Sequence, residues 1–314
     1  MRAPNFWRHR GITAYLLAPL GAIYNASVAF KAAYASPYRA PMPVICVGNL
    51  TAGGSGKTPV TIAIGEMLRA RGKNPAFLIR GYGGRSAVPT LVKPHHTARQ
   101  VGDEALLLAR SGPTIVAADR ATGAAKAAAL KADVLVMDDG HQNFGLAKNL
   151  SLVVVDGSGG FQNGMVLPAG PLREKVAQGL KRADAVILMG EGTPDLDGYA
   201  GPVLRAHLKP MPNDLAGRRV FAFAGIGRPQ KFYATLKAVG AFITGTQDYA
   251  DHHFYDAKDL QGLRDQAKDA LLVTTEKDLV RIPPERRGGI VALAVEARFD
   301  DPAALDALLR KAVP

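Results

Sequence analysis

Strand-like segments in which apolar residues cluster without alternation lie at 42–50, 76–79, 114–117, 133–137, 152–155, 185–189, 219–224 and 271–274. Between several of them lie stretches with helical spacing, at 60–71, 103–110 and 121–132. A strand whose apolar run does not alternate is covered on both faces. Strands of that kind succeeded by helices build a parallel sheet. The pattern predicts an α/β fold: a doubly wound parallel sheet of the P-loop NTPase kind.

The amino-terminal pattern is different. Residues 11–30 carry no charge and are bracketed by Arg8, His9 and Arg10 on one side and Lys31 on the other. The large groups Ile12, Tyr15, Leu16, Leu20, Ile23, Tyr24 and Phe30 fall mostly on one helical face, and Ala14, Ala18, Gly21, Ala22 and Ala26 on the other. Pro19, Asn25 and Ser27 argue against a spanning helix, because lipid offers polar groups no partner. Basic flanks and two tyrosines favour a helix in the membrane interface. A signal peptide, a transmembrane helix and a buried core helix are the competing readings. The signal peptide is disfavoured because a nucleotide-site motif follows at once.

Two prolines and an asparagine at 209–213 read as a corner between units. Three segments are therefore expected: a membrane-interface helix over 1–40, a P-loop core over 41–211 and a smaller α/β subdomain over 212–314. The last helix, 302–312, can pack back on the core.

Composition adds two things. The formal net charge of +12 favours anionic partners: nucleic acid, anionic lipid or phosphorylated substrates. Nucleic acid is disfavoured, because aromatic residues do not interleave with the basic ones as stacking platforms. The one cysteine, Cys46, lies in an apolar run and forms no internal disulfide.

The strongest motif is T-A-G-G-S-G-K-T at Thr51, Ala52, Gly53, Gly54, Ser55, Gly56, Lys57 and Thr58. It matches a phosphate-binding loop except at the first position, where Thr51 replaces glycine. Glycines let backbone N–H groups close on phosphate oxygens, and the next helix points its positive end at them. Lys57 neutralises β/γ charge and Thr58 offers a hydroxyl to Mg²⁺. Pro59 is tolerated just inside the helix. ATP and Mg²⁺ are the cofactors implied.

The run 134–142 (V-L-V-M-D-D-G-H-Q) delivers Asp138 at the carboxyl end of a strand, where a P-loop crevice needs a metal-facing carboxylate. Asp139 is either a second metal ligand or a structural cap. T-E-K-D at 275–278 lacks the asparagine of a guanine-reading motif, and no nucleic-acid motor motifs are present. A small-molecule or lipid kinase fits best. A P-loop ATPase switching a protein or membrane partner is the alternative.

Beyond the loop itself, V-G-N-L-T-A-G-G-S-G-K-T-P at 47–59 resembles the tetraacyldisaccharide 4'-kinase (lipid A 4'-kinase) family, Thr51 included. So do R-G-Y-G-G at 80–84, V-G-D-E at 101–104, D-D-G-H-Q at 138–142, L-P-A-G-P-L-R-E at 167–174, D-H-H at 251–253 and T-T-E-K-D at 274–278. The resemblance implies transfer of the ATP γ-phosphoryl group to the 4'-hydroxyl of tetraacyldisaccharide 1-phosphate, giving lipid IV(A) at the cytoplasmic face of the bacterial inner membrane. It makes Asp103 the catalytic base, against a helix-capping role from the residues alone. It pairs Asp103 with His252, with His253 as competitor, through closure of two lobes. It also gives Arg173 a phosphate contact and Glu174 a metal contact, against a solvated ion pair. His141 and Gln142 would help hold the site.

Overall fold

The computed structural model describes residues 4–84 and 88–314; Arg85, part of the glycine-rich loop after 80, lies outside them. The strands are β1 (Val44–Gly48), β2 (Pro75–Ile79), β3 (Thr90–Leu91), β4 (Thr114–Val116), β5 (Val134–Asp138), β6 (Leu150–Asp156), β7 (Ala185–Met189), β8 (Val203–Pro210), β9 (Arg219–Ala224), β10 (Phe242–Asp248), β11 (Leu271–Thr275), β12 (Ile290–Leu293) and β13 (Val295–Phe299). The α-helices are α1 (Ile12–Ala33), α2 (Lys57–Ala70), α3 (Ala98–Val101), α4 (Asp103–Arg110), α5 (Arg120–Ala129), α6 (Val176–Leu180), α7 (Pro229–Ala238), α8 (Ala257–Ala267), α9 (Glu276–Leu279) and α10 (Pro302–Ala312).

The larger sheet has the order β13-β8-β7-β6-β1-β5-β2-β4-β3, parallel except for its two edge strands. Its strands alternate between two apolar layers. Ile45 and Val47 pack with α2, α4 and α10 through Ile64, Leu108 and Leu305. Val44 and Cys46 pack on the opposite face with Ala124 and Ala127 of α5. Burial on both faces is why these strands read as unbroken apolar runs. β1 lies between β5 and β6, and Val47 is in register with Asp138. The phosphate-binding loop and the Asp138 carboxylate therefore leave adjacent strands at the same edge, the place where such sheets bind ligands.

The smaller sheet, β10-β9-β11-β12, is wholly parallel. It is covered by α8 through Leu260 and Leu263 and by α7 through Phe232 and Leu236. The sheets divide differently from the 212–314 unit read in the sequence. After β12 the chain returns to the larger sheet: β13 pairs antiparallel with β8, and α10 buries Leu305 and Leu309 in the main core. Two segments thus cross between the units, and Met211 N–H donates to Ala294 O where they meet.

Helix α1 docks by its small side. Ala14, Gly21 and Asn25 are buried, while Ile12, Leu16 and Ile23 are 82%, 75% and 68% exposed. A Cβ on Gly21 would sit 2.8 Å from Val166 O, so only glycine permits that approach. Asn25 Oδ1 accepts from Lys175 N–H at 2.9 Å. The large apolar residues are left facing outward.

Candidate active site

The loop after β1 turns into α2 at Gly56, whose φ of +86° is a left-handed conformation suited to glycine. Lys57 and Thr58 are buried at the start of that helix. Thr58 Oγ1 donates to Asp138 Oδ2 at 2.9 Å. Ser55 Oγ accepts from Asn49 Nδ2 at 3.1 Å, fixing the loop against the end of β1. Lys57 Nζ lies 3.6 Å from Asp139 Oδ1.

Asp138 and Asp139 are adjacent in sequence and opposite in state. Asp138 is fully buried, and its Oδ1 has no hydrogen-bond partner among the described residues. Burial, then the charge of Glu104, push its carboxyl up to about 7 against the pull of Lys57. Asp139 accepts both arms of the Arg173 guanidinium, at 2.7 and 3.1 Å. Burial raises it too, but Lys57 and Arg173 outweigh burial and hold it at about 2. It adopts φ +53°, a strained value for a non-glycine residue that turns its carboxylate toward Arg173.

These surroundings test the expected Mg²⁺ set. An orphaned, buried carboxylate oxygen beside a threonine hydroxyl fits a hard divalent cation that takes its other ligands from phosphate and water. Asp138 and Thr58 meet that description. Asp139 does not, because both oxygens serve Arg173. Nor does Glu174: it is buried, with Oε1 accepting from Gln142 at 2.9 Å and Oε2 from Arg182 at 2.6 Å. Glu174 therefore braces Gln142, which also donates to Asn49 O below the loop. His141 is a buried structural residue, hydrogen-bonded to Gly179 O at 2.9 Å, and burial lowers it to about 3.

The second part of the site lies where the units meet. Gly102, at φ +88°, separates α3 from α4 and sets Asp103 on the first turn of α4. Asp103 is buried, and its Oδ2 is 2.9 Å from His252 Nδ1 of the smaller unit. His252 has φ +60°, a second strained non-glycine residue at this place. Its ring lies 5.6 Å from that of Tyr82 in the glycine-rich loop. His253 is turned away, bound to Asp259 at 2.8 Å and stacked on Tyr249. Burial pushes Asp103 up, but the His252 hydrogen bond and the charges of Lys277 and Arg281 prevail and hold it well below the usual carboxylate range.

Further charged contacts join the units. Lys277 Nζ is 2.8 Å from Glu104, Arg110 is 3.1 Å from Glu276, and Asp156 at the end of β6 takes Lys231 at 2.8 Å together with Arg228. Sequence reading placed Glu104 and Lys277 inside motifs without a role and passed over Arg281. The signal available was the three-residue spacing of Asp278 and Arg281, which one turn of chain brings together.

Compared with known proteins, the family described as LpxK, tetraacyldisaccharide-1-P 4'-kinase, matches residues 13–314. The chain belongs to this family. It is a kinase, and its relatives match along nearly their whole length. The tetraacyldisaccharide 4'-kinase of Rhodospirillum centenum is 51% identical, over 98% of this chain and 96% of that protein. That of Rhodospirillum rubrum is 49% identical, over 100% and 98%. Among solved structures, LpxK from Aquifex aeolicus in complex with ATP superposes with a TM-score of 0.79 at 24% identity, covering 96% of this chain and 100% of that one. At that identity the likeness speaks for the fold.

Proposed function

We propose that this kinase transfers the γ-phosphoryl group of ATP to the 4'-hydroxyl of tetraacyldisaccharide 1-phosphate, at the cytoplasmic face of the inner membrane, with Asp103 as base. The observation that carries the reading is the Asp103–His252 pair, assembled from two units at the edge of the sheet that also bears the phosphate-binding loop.

The backbone of residues 51–58 and the amino end of α2 would hold the β- and γ-phosphates. Lys57, now directed at Asp139, would turn its charge to the phosphate oxygens. Thr58 and Asp138 would hold Mg²⁺, which supplies charge neutralisation at the transferring phosphoryl group. Asp103 would accept the 4'-hydroxyl proton as the sugar oxygen bonds to the γ-phosphorus and the bond to ADP breaks. His252 orients the carboxylate and shares its charge. Arg173, held by Asp139, would offer its remaining N–H groups to a phosphate oxygen.

Helix α1 supports this location. Docked along one small stripe with its bulky apolar face outward, it suits the membrane interface. Its outward apolar face, flanked by Arg8 and Lys31, would rest among acyl chains and anionic headgroups. The substrate's own acyl chains stay in the same layer.

The test incubates the full chain in detergent with γ-labelled ATP, Mg²⁺ and tetraacyldisaccharide 1-phosphate. Label in the lipid is expected. ATP hydrolysis without labelled lipid would refute the reading in favour of a nucleotide switch.

A further inference from the structure

Arg281 has a side chain with no solvent exposure, although it lies at the meeting of two units. One side of its guanidinium is occupied within its own unit. Nη1 donates to Gly225 O at 2.7 Å and to Asp278 Oδ1 at 3.0 Å. Asp278 is itself fixed, accepting from Gly225 N–H at 2.8 Å, Tyr255 O–H at 2.8 Å and Thr275 O–H at 2.6 Å. The smaller unit thus holds the guanidinium rigidly. Its remaining edge points across the junction, with Nε 2.7 Å and Nη2 2.5 Å from Asp103 Oδ2.

We infer that Arg281 is a positioning residue for phosphoryl transfer: a preset fork that fixes the Asp103 carboxylate when the units close. A buried carboxylate without a cationic partner is costly and turns readily to other partners. A planar guanidinium held on one side fixes the place of the carboxylate oxygen that its Nε binds. His252 alone makes a single contact with the same oxygen. With Arg281 and His252 both on Oδ2, the partner of Oδ1 among the described residues is the Glu104 N–H, at 2.9 Å. Oδ1 is therefore the oxygen with a lone pair to spare for the incoming hydroxyl proton. Because the fork belongs to one unit and the carboxylate to the other, an open molecule has an unfixed base. Closure and positioning of the base are one event. T-T-E-K-D is then a mount: Thr275 and Asp278 carry Arg281, three residues further on.

This inference rests on Asp103 being the base, so its test separates the two. Rates of lipid phosphorylation are compared for the full chain and for Arg281→Lys, Arg281→Gln, Asp103→Asn and the double variant Asp103→Asn with Arg281→Gln. Misplacing a reacting group by about an ångström costs about a hundredfold. Arg281→Gln should lower kcat by about ten- to a hundredfold while the KM for ATP stays within about twofold. Arg281→Lys, which keeps the charge and loses the fork, should recover part of the loss. On the Asp103→Asn background, Arg281→Gln should change the rate by less than about twofold, because two groups acting as a unit are not additive. The double variant also removes both buried charges, so it remains informative if Arg281→Gln alone folds poorly. The same fold loss on both backgrounds would overturn the inference and leave Arg281 as a structural ion pair. Full activity of Asp103→Asn would overturn the base assignment itself.

Discussion

The outward face of α1 gives a prediction that can be sized. Ile12, Leu16, Leu20, Ile23 and Phe30 are 82%, 75%, 53%, 68% and 63% exposed, and the helix carries no charged residue before Lys31 in its last turn. Full burial of one such side chain is worth about 1.5–3 kcal/mol, so these exposures leave about 1–2 kcal/mol apiece for lipid to recover. Ile12, Leu16 and Ile23 lie on one line of a 3.6-residue helix, opposite the stripe of Ala14, Gly21 and Asn25 that holds it to the body. Changing all three to serine should therefore weaken membrane binding by about 3–6 kcal/mol, roughly a hundredfold to ten-thousandfold. The assay is sedimentation with vesicles containing anionic phospholipid, at fixed salt so that the contribution of Arg8 and Lys31 is held constant. The triple variant should also phosphorylate detergent-dispersed substrate at close to the parent rate, because the docked stripe is untouched. Vesicle binding unchanged in the triple variant would refute the reasoning and return α1 to a purely structural role.

Other consequences concern the carboxylates and the core. Asp138→Asn should abolish Mg²⁺-dependent transfer yet raise the melting temperature of the nucleotide-free protein at pH 8, since it removes a buried charge whose carboxyl is pushed up to about 7; differential scanning calorimetry decides. Asp139 is held at about 2, below its unfolded value near 3.8. Its contribution to stability is therefore complete above about pH 4 and disappears as pH falls toward 2. After screening at its open side it is worth about 1–2 kcal/mol. Arg173→Gln should flatten that part of an acid denaturation profile. His141 is lowered to about 3 by burial, so stability should decline as pH drops below its unfolded value near 6.5, and His141→Asn should remove that slope in urea titrations. Gly48→Ala should destabilise by about 1–3 kcal/mol, because the new Cβ would lie 2.5 Å from that of His141.

What the chain's letters reveal depends on how local the physics is. The phosphate-binding loop is one continuous segment with a strand before it and a helix after, so residue types alone identify it. The same holds for β1, β5, β6 and β7, whose unbroken apolar runs follow from burial on both faces. β8 and β13 were not legible. They lie at a sheet edge, mix polar with apolar residues, and meet only because the chain returns from the smaller unit. The proposed catalytic pair is non-local in the same way. Asp103 and His252 are 149 positions apart, and Asp103 at a helix start reads equally well as a cap. Only the resemblance singled it out, and Arg281, 178 positions away, left no trace beyond its spacing from Asp278. The carboxylates show a finer limit. Asp138 and Asp139 look interchangeable in sequence, yet the φ of +53° at Asp139 turns it to Arg173 and leaves Asp138 alone with Thr58. α1 ran opposite to the usual rule: its bulky face is outside, because close approach to the backbone at Val166 demands a residue as small as Gly21.

The most direct test of the central claim is the single-turnover rate of phosphoryl transfer in Asp103→Asn, with ATP affinity measured alongside by equilibrium binding. The account predicts a rate lower by about a hundredfold to ten-thousandfold, the range for loss of a general base, with ATP binding unchanged. A rate within a few fold of the parent's would contradict it and leave Asp103 as a buried ion-pair residue at the start of α4.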